Sequence, residues 1–265
     1  MANRYYKGDN TGNGPSPQIW ANCPVLDIME DPNKGYHFFD DFLQFLEDTG
    51  GWLVAGTNDT CAYVATEVGG VINVGATGAD NDEGYLTSGN NEAGMVKIYT
   101  TTPRKMWFEA RVRTTSIVDQ AVFIGLAEEG LAAADTLSNN DGDLASKDFV
   151  GFHADTAAPT LLDCVYREAA ATGIVPKASA QTLVAATWYK LGMYFDGTYL
   201  HYYVDGVEES LTSTITGVDV DKGLKVSAAT DFPDGEELAV LIGVHDGEGA
   251  AKSIDIDWVR VAQLR

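Results

Sequence analysis

Residues 188–206 constrain this chain more than any other stretch, because two runs of alternating apolar residues flank Asp196-Gly197, a dipeptide suited to a tight turn between strands. With a period of two, Tyr189, Leu191, Met193 and Phe195 share one face, and Leu200, Tyr202 and Val204 supply the matching face across the turn. The stretch is read as a β-hairpin and these residues as core. Trp188, Tyr194, Tyr199, His201 and Tyr203 then fall on the opposite face. They either offer an aromatic surface to a sugar or a protein partner, or lie beneath a second layer such as an N-terminal arm. Alternation alone leaves both readings open, and leaves open which face points inward.

The rest of the chain repeats this grammar. Phe108, Ala110 and Val112 alternate with Glu109, Arg111 and Arg113, which predicts a strand with one packed face and one face in water. Residues 122–126 are almost continuously apolar, as in a central strand covered on both sides. Short runs of this kind, broken by turn residues, predict an all-β sandwich or barrel. The best helical candidates are short, at residues 39–46 and the Ala-rich residues 131–137. Residues 1–35 are rich in Gly, Pro, Asn and Asp, so they read as an irregular N-terminal arm before one β-sandwich domain at 36–265. Polar clusters at 138–143 and 232–237 read as loops within that domain.

Charge excludes some partners. With 39 Asp+Glu against 17 Lys+Arg the formal net charge is −22, a field that repels phosphate backbones and anionic lipids, so neither nucleic acid nor a membrane surface is expected as partner. The opening residues hold no apolar run of the secretion-signal kind, and no stretch of about 18 apolar residues occurs, so the expectation is a protein made and kept in the cytosol. Three cysteines, Cys23, Cys61 and Cys164, have no CxxC spacing, which predicts buried free thiols and neither a disulfide framework nor a zinc site.

The hairpin resembles the laminin-G-like and concanavalin A-like families, in which a Trp, an alternating strand, an Asp-Gly turn, a second strand and Val-Asp-Gly follow one another. Here these are Trp188, residues 191–195, Asp196-Gly197, residues 200–203 and Val204-Asp205-Gly206. Phe39-Asp40-Asp41-Phe42 is similar to an opening strand of that fold, in conflict with the helical reading of the same residues, and residues 254–261 are similar to its closing strand. The resemblance implies an all-β, concanavalin A-like jelly-roll β-sandwich. The layout of a polar arm before such a sandwich also resembles structural proteins of tailed phages.

The closing strand is similar to that of family 16 glycoside hydrolases, so catalysis has to be weighed. Retaining glycosidases use two carboxylates roughly 5 Å apart, and in that family they come from one strand with Glu-x-Asp spacing followed by a second Glu. No such run occurs; the nearest pair, Asp255 and Asp257, reads as solvated acids on an outer strand. His37, His153, His201 and His245 stand in no recognisable Ser or Cys motif, and Cys164 with His153 would need tertiary proximity. Oxygen-rich loops suit calcium better. The candidates are residues 80–83, with Asp80, Asp82 and Glu83 as first choice, residues 139–143, and Asp246-Gly247-Glu248.

The expectation from these readings is a binding protein that is not an enzyme. The leading form is a virion structural protein, a capsid decoration or cement protein made in the host cytoplasm, which sits on capsid subunits and reaches a neighbour through its arm. The alternative is a lectin-like carbohydrate-binding module using the aromatic face, with or without calcium, and the third reading is a glycoside hydrolase. A symmetric homo-oligomer fits either of the first two.

Overall fold

The computed structural model describes residues 12–46, 51–133, 135–139 and 141–265. Two short helices come first, α1 (Pro17–Trp20) and α2 (Val25–Glu30). The strands that follow are β1 (Gly35–Asp40), β2 (Trp52–Thr57), β3 (Asp59–Tyr63), β4 (Ile72–Ala76), β5 (Glu83–Ser88) and β6 (Val96–Lys97). Next come β7 (Met106–Thr114), β8 (Gln120–Glu128), β9 (Phe149–Ala154), β10 (Leu161–Arg167), β11 (Ile174–Thr182) and β12 (Tyr189–Phe195). The last are β13 (Tyr199–Val204), β14 (Val207–Glu208), β15 (Val218–Asp219), β16 (Gly223–Lys225), β17 (Glu237–Asp246) and β18 (Ser253–Leu264).

They form two antiparallel sheets packed face to face. The ten-stranded sheet runs β15-β16-β13-β12-β7-β18-β4-β3, with β1 beside β18 and β14 beside β13. The eight-stranded sheet runs β11-β10-β9-β8-β17-β5-β2, with β6 beside β17. The core between them takes Phe108, Leu191, Met193 and Tyr202 from one sheet and Ile124, Phe152, Val240 and Ile242 from the other. The hairpin is as read: β12 and β13 pair from Leu191–Val204 to Phe195–Leu200, and every residue assigned to its inner face is buried. Asp196 makes the turn by accepting the N–H groups of Thr198 and Tyr199 on Oδ1, at 2.7 Å each. The strand read as central, β8, is buried along nearly its whole length and sits mid-sheet.

Neither helical candidate forms a helix. Phe39 belongs to β1, which pairs with β18 from Gly35–Leu264 to Asp40–Val259. Just beyond it Phe42 adopts φ +53° with its N–H on Asp40 Oδ1, a local turn that ends the strand and prevents a helix. The opening-strand reading of Phe39 is therefore the correct one. Residues 131–137, of which residue 134 lies outside the described ones, instead begin a loop that lies on the outer face of the eight-stranded sheet. Leu131, Ala132, Leu137 and Leu144 pack there against Phe123, Phe149 and Leu241, so tertiary burial outweighs the helix propensity of alanine.

The outer face of the ten-stranded sheet does not meet water as the alternation in β7 predicted. Residues 12–30 fold back across it, and Ile19, Trp20, Cys23 and Ile28 pack on Trp107, Tyr203 and Ala262. Glu109 is fully buried: one carboxylate oxygen accepts the Ser16 N–H at 2.9 Å and the Trp20 indole N–H at 2.8 Å. Burial holds its acid above the ordinary range. The Lys190 ammonium donates to the carbonyls of Gly12 and Gly14, the Trp258 indole donates to that of Asn13, and the Arg260 guanidinium stacks on Trp20. The first eleven residues of the expected arm lie outside the described ones. The rest contains two short helices where none was expected, the first opened by Pro17, whose fixed φ suits a first helical turn. Cys23 and Cys164 are buried free thiols, and Cys61 is half-buried.

Removing the Trp20 side chain should release this layer. Trp20→Ala is expected to lower unfolding free energy by about 3–5 kcal/mol, measured by denaturant titration. In the same variant Cys23, whose thiol burial pushes up to about 12, should become reactive toward a maleimide, as read by mass spectrometry of the native protein.

Candidate functional site

Three places on the molecule carry chemistry. The first is the outer edge of the hairpin. Alternation puts Tyr194, His201 and Tyr203 on one side of β12 and β13, where Tyr194 stacks between Trp107, at 5.5 Å, and His201, at 5.6 Å between ring centroids. Tyr194, Tyr199 and His201 remain partly exposed, whereas Tyr203 is buried beneath the arm. His201 Nδ1 lies 2.7 Å from Glu208 Oε1, and the Tyr203 hydroxyl donates to the other oxygen of Glu208 at 3.5 Å. A cavity of about 270 Å³ opens beside them, walled by Glu208, Ser210, Asp219, Asp221 and Gly223. Gly223 is required at that wall: its φ is +102°, and a Cβ there would stand 3.2 Å from His201 Nδ1. Trp188 does not join this group. Six residues along the strand from Tyr194, about 20 Å away, its ring is gripped by the guanidinium groups of Arg111 and Arg113 at 4.3 and 4.5 Å.

The second place is the end of the eight-stranded sheet where the three oxygen-rich loops of the sequence come together. The N–H of Asn81 donates to the Asp246 carbonyl at 2.9 Å, and the N–H of Asp246 to the Asp82 carbonyl at 2.8 Å, which joins residues 80–83 to residues 246–248. Asp141 approaches through Thr156, whose N–H and hydroxyl both donate to the Asp141 carbonyl; residue 140 of that loop is outside the described ones. The first-choice ligands are engaged elsewhere, however. Asp82 accepts from the Asn58 amide, the Thr77 hydroxyl and the Ala79 N–H. Glu83 accepts from the Tyr85 hydroxyl and from the Asp135 N–H at 2.6 Å, and burial raises its acid above the ordinary range. Asp80 alone of the three is exposed.

The third place was not visible in the sequence. A cavity of about 420 Å³ is lined by Lys97, Glu128, Glu129, Asp148, Glu236 and Glu237, from the ends of β6, β8, β9 and β17. Burial pushes Asp148 up to about 6, with the adjacent Glu128 and Glu236 acting in the same direction. Glu128, against the effect of its own burial, is held below the ordinary range by the Lys147 ammonium at 2.7 Å and by the Asp148 N–H. The two neighbouring acids are thus shifted in opposite directions. The only sequence signals were single acids at strand ends and the acidic loop 232–237, and none of these has diagnostic spacing.

The acids considered for catalysis on the closing strand are neither solvated nor on an outer strand. β18 lies between β7 and β4, Asp257 is paired with Arg111, and Asp255 is paired with Arg113 at 2.7 Å and with the Asn73 amide at 2.6 Å.

No protein-family model and no curated protein matches the chain. Solved structures do. A Shewanella oneidensis protein of unknown function is 14% identical with TM-score 0.56, covering 88% of this chain and 87% of its own. Peanut lectin is 16% identical with TM-score 0.54, covering 88% and 99%. A glycoside hydrolase family 16 endo-glucanase from Bacteroides ovatus is 15% identical with TM-score 0.52, covering 84% and 99%. The fold is therefore the concanavalin A-like jelly-roll sandwich of lectins and glucanases. Nothing in these structures supports the capsid-decoration expectation. They also overturn the expectation that the chain is not an enzyme, since further chains of this fold are glucanases as well. That expectation rested on the absence of one acidic run from one strand and of any Ser or Cys nucleophile motif. A test of that kind does not register carboxylates assembled from separate strands, as Glu128 and Asp148 are.

The raised Asp148 acid makes stability depend on pH in a defined direction. Its folded value of about 6 lies above the ordinary 3.8, so its contribution is complete below the lower value and is lost as pH rises through the upper. Asp148→Asn is expected to raise the midpoint of thermal unfolding relative to wild type above about pH 7 and to leave it unchanged below about pH 4, as followed by calorimetry.

Proposed function

We propose that this chain binds carbohydrate at the outer edge of the β12–β13 hairpin. The observation that carries the reading is the cavity between Glu208 and Gly223, whose walls meet His201, with Tyr194 stacked on that ring and Tyr199 under Lys222. A sugar presents C–H faces that pack on aromatic rings and hydroxyls that donate to carboxylates, and this edge sets both kinds of partner side by side. The fold shared with peanut lectin supports the same reading. The arm, in contrast, is engaged with its own sandwich over residues 12–30, so those residues lend the capsid reading no support. Tyr199→Ala is expected to weaken binding to the best ligand on a glycan array about tenfold, as one stacking contact would. Unchanged affinity in both Tyr199→Ala and His201→Ala would place the glycan elsewhere.

A second reading, glycoside hydrolysis, is favoured by the oppositely shifted acids in the larger cavity. A carboxyl that keeps its proton beside one that does not is the division of labour between an acid and an anionic partner, and the carboxylates facing them, Glu129, Glu236 and Glu237, could accept hydroxyls of a bound chain. β-1,3-1,4-glucan is the first substrate to try, given the glucanases of this fold. Release of reducing ends by the wild type, falling by at least about a hundredfold in Asp148→Asn but not in Tyr199→Ala, is the expected result. Equal turnover in Asp148→Asn would rule this cavity out as the catalytic centre.

A further inference from the structure

The arm that covers the ten-stranded sheet also abuts the edge of the hairpin. Ile19 sits directly on the backbone of β12: a Cβ on Gly192, two residues from Tyr194, would stand 2.4 Å from Ile19 Cδ1. Ile19, Trp20 and Cys23 pack on Trp107 and Tyr203, and Tyr194 is partly buried against the same cluster. From there two paths lead to one carboxylate in the cavity wall. The Tyr203 hydroxyl donates to one oxygen of Glu208 at 3.5 Å. Tyr194, stacked on Trp107 at 5.5 Å, stacks in turn on His201 at 5.6 Å, whose Nδ1 lies 2.7 Å from the other oxygen. With 48% of its side chain exposed, Glu208 packs against little, so these two contacts fix where it points.

Docking of the arm leaves polar groups unsatisfied. Trp107 Nε1 and Glu109 Oε1, both fully buried beneath it, have no hydrogen-bond partner among the described residues. An orphaned buried group of this kind weighs against the conformation that buries it. Apolar burial of Ile19, Trp20 and Ile28 favours docking; the two orphans oppose it, and water reaches both once the arm lifts. The arm is in this sense a two-state element laid against the site. A ligand that needs Glu208, Tyr194 and His201 where the docked arm puts them binds that state more tightly, and by linkage its binding holds the arm down.

We propose that arm docking and glycan binding are coupled, with Ile19 and Trp20 acting as positioning residues for Glu208 through Tyr203 and Tyr194. The proposal rests on the reading of the hairpin edge as the carbohydrate site. Its test uses the full chain, the sugar that binds best on the glycan array, and maleimide labelling of Cys23, which reports how often the arm is lifted. Saturating sugar should slow Cys23 labelling in the wild type about tenfold, and Trp20→Ala should bind the sugar about tenfold more weakly, since a coupling acts equally in both directions. Ile19→Ala, which trims only the contact over Gly192, should show a smaller loss in the same direction. Sugar that binds while Cys23 labelling stays unchanged or quickens would overturn the coupling and leave the hairpin reading standing. Wild-type affinity in both Trp20→Ala and Ile19→Ala, alongside a weakened Tyr199→Ala, would do the same. An array on which nothing binds, or affinity indifferent to both Tyr199→Ala and His201→Ala, would instead remove the hairpin site and the coupling with it.

Discussion

One extra residue in the longest strand sets the chemistry of a whole face. β18 pairs with β7 in steady register until Ile256 opposite Val112, and the next pair is Trp258 opposite Arg111, so Asp257 is bulged out. Because side chains alternate with a period of two, a single inserted residue exchanges the faces of everything beyond it. Ile254 and Ile256 point inward before the bulge, and Val259 and Val261 point inward after it. Without it Trp258 would enter the core and Val259 would leave. With it, Asp255 and Asp257 both meet arginines of β7, and Trp258 is free to hold the arm through Asn13.

The two sheets then solve the same problem in different ways. Each has an outer face too rich in large side chains to stay in water. The ten-stranded sheet covers its face with the arm and places a buried carboxylate, Glu109, where the arm can donate two hydrogen bonds to it. The eight-stranded sheet covers its face with the loop between β8 and β9, using Leu131, Leu137 and Leu144. Covered faces leave only sheet edges and strand ends open to ligands. The two cavities are found there.

This explains how unevenly the molecule could be read beforehand. The hairpin was legible to the residue because both of its strands and its turn lie within one short stretch. The opening strand was half legible, since Phe39 sits where an apolar run could be helix or strand, and pairing with β18 decides the matter. Glu109 was misread as solvated because nothing in its own strand announces that Trp20, 89 positions earlier, will lie on it. The oxygen-rich loops were recognised separately, yet how far Asp82 is engaged depends on Asn58 in the β2–β3 turn and on Thr77 just after β4. Glu128 and Asp148 carried no diagnostic spacing; their opposite shifts follow from burial and from Lys147.

The sequence by itself determined that the chain is all-β, which residues of the central hairpin face the core, and that the protein carries a strong negative field. Each is a local or additive property: alternation needs only neighbours two residues apart, and charge only counting. Tertiary structure alone decided what covers each outer face, which acids burial raises, and which loops meet at the end of the eight-stranded sheet. Those depend on strand register over long separations, where a shift of one position reverses a face and a few ångströms separate a partnered oxygen from an orphaned one.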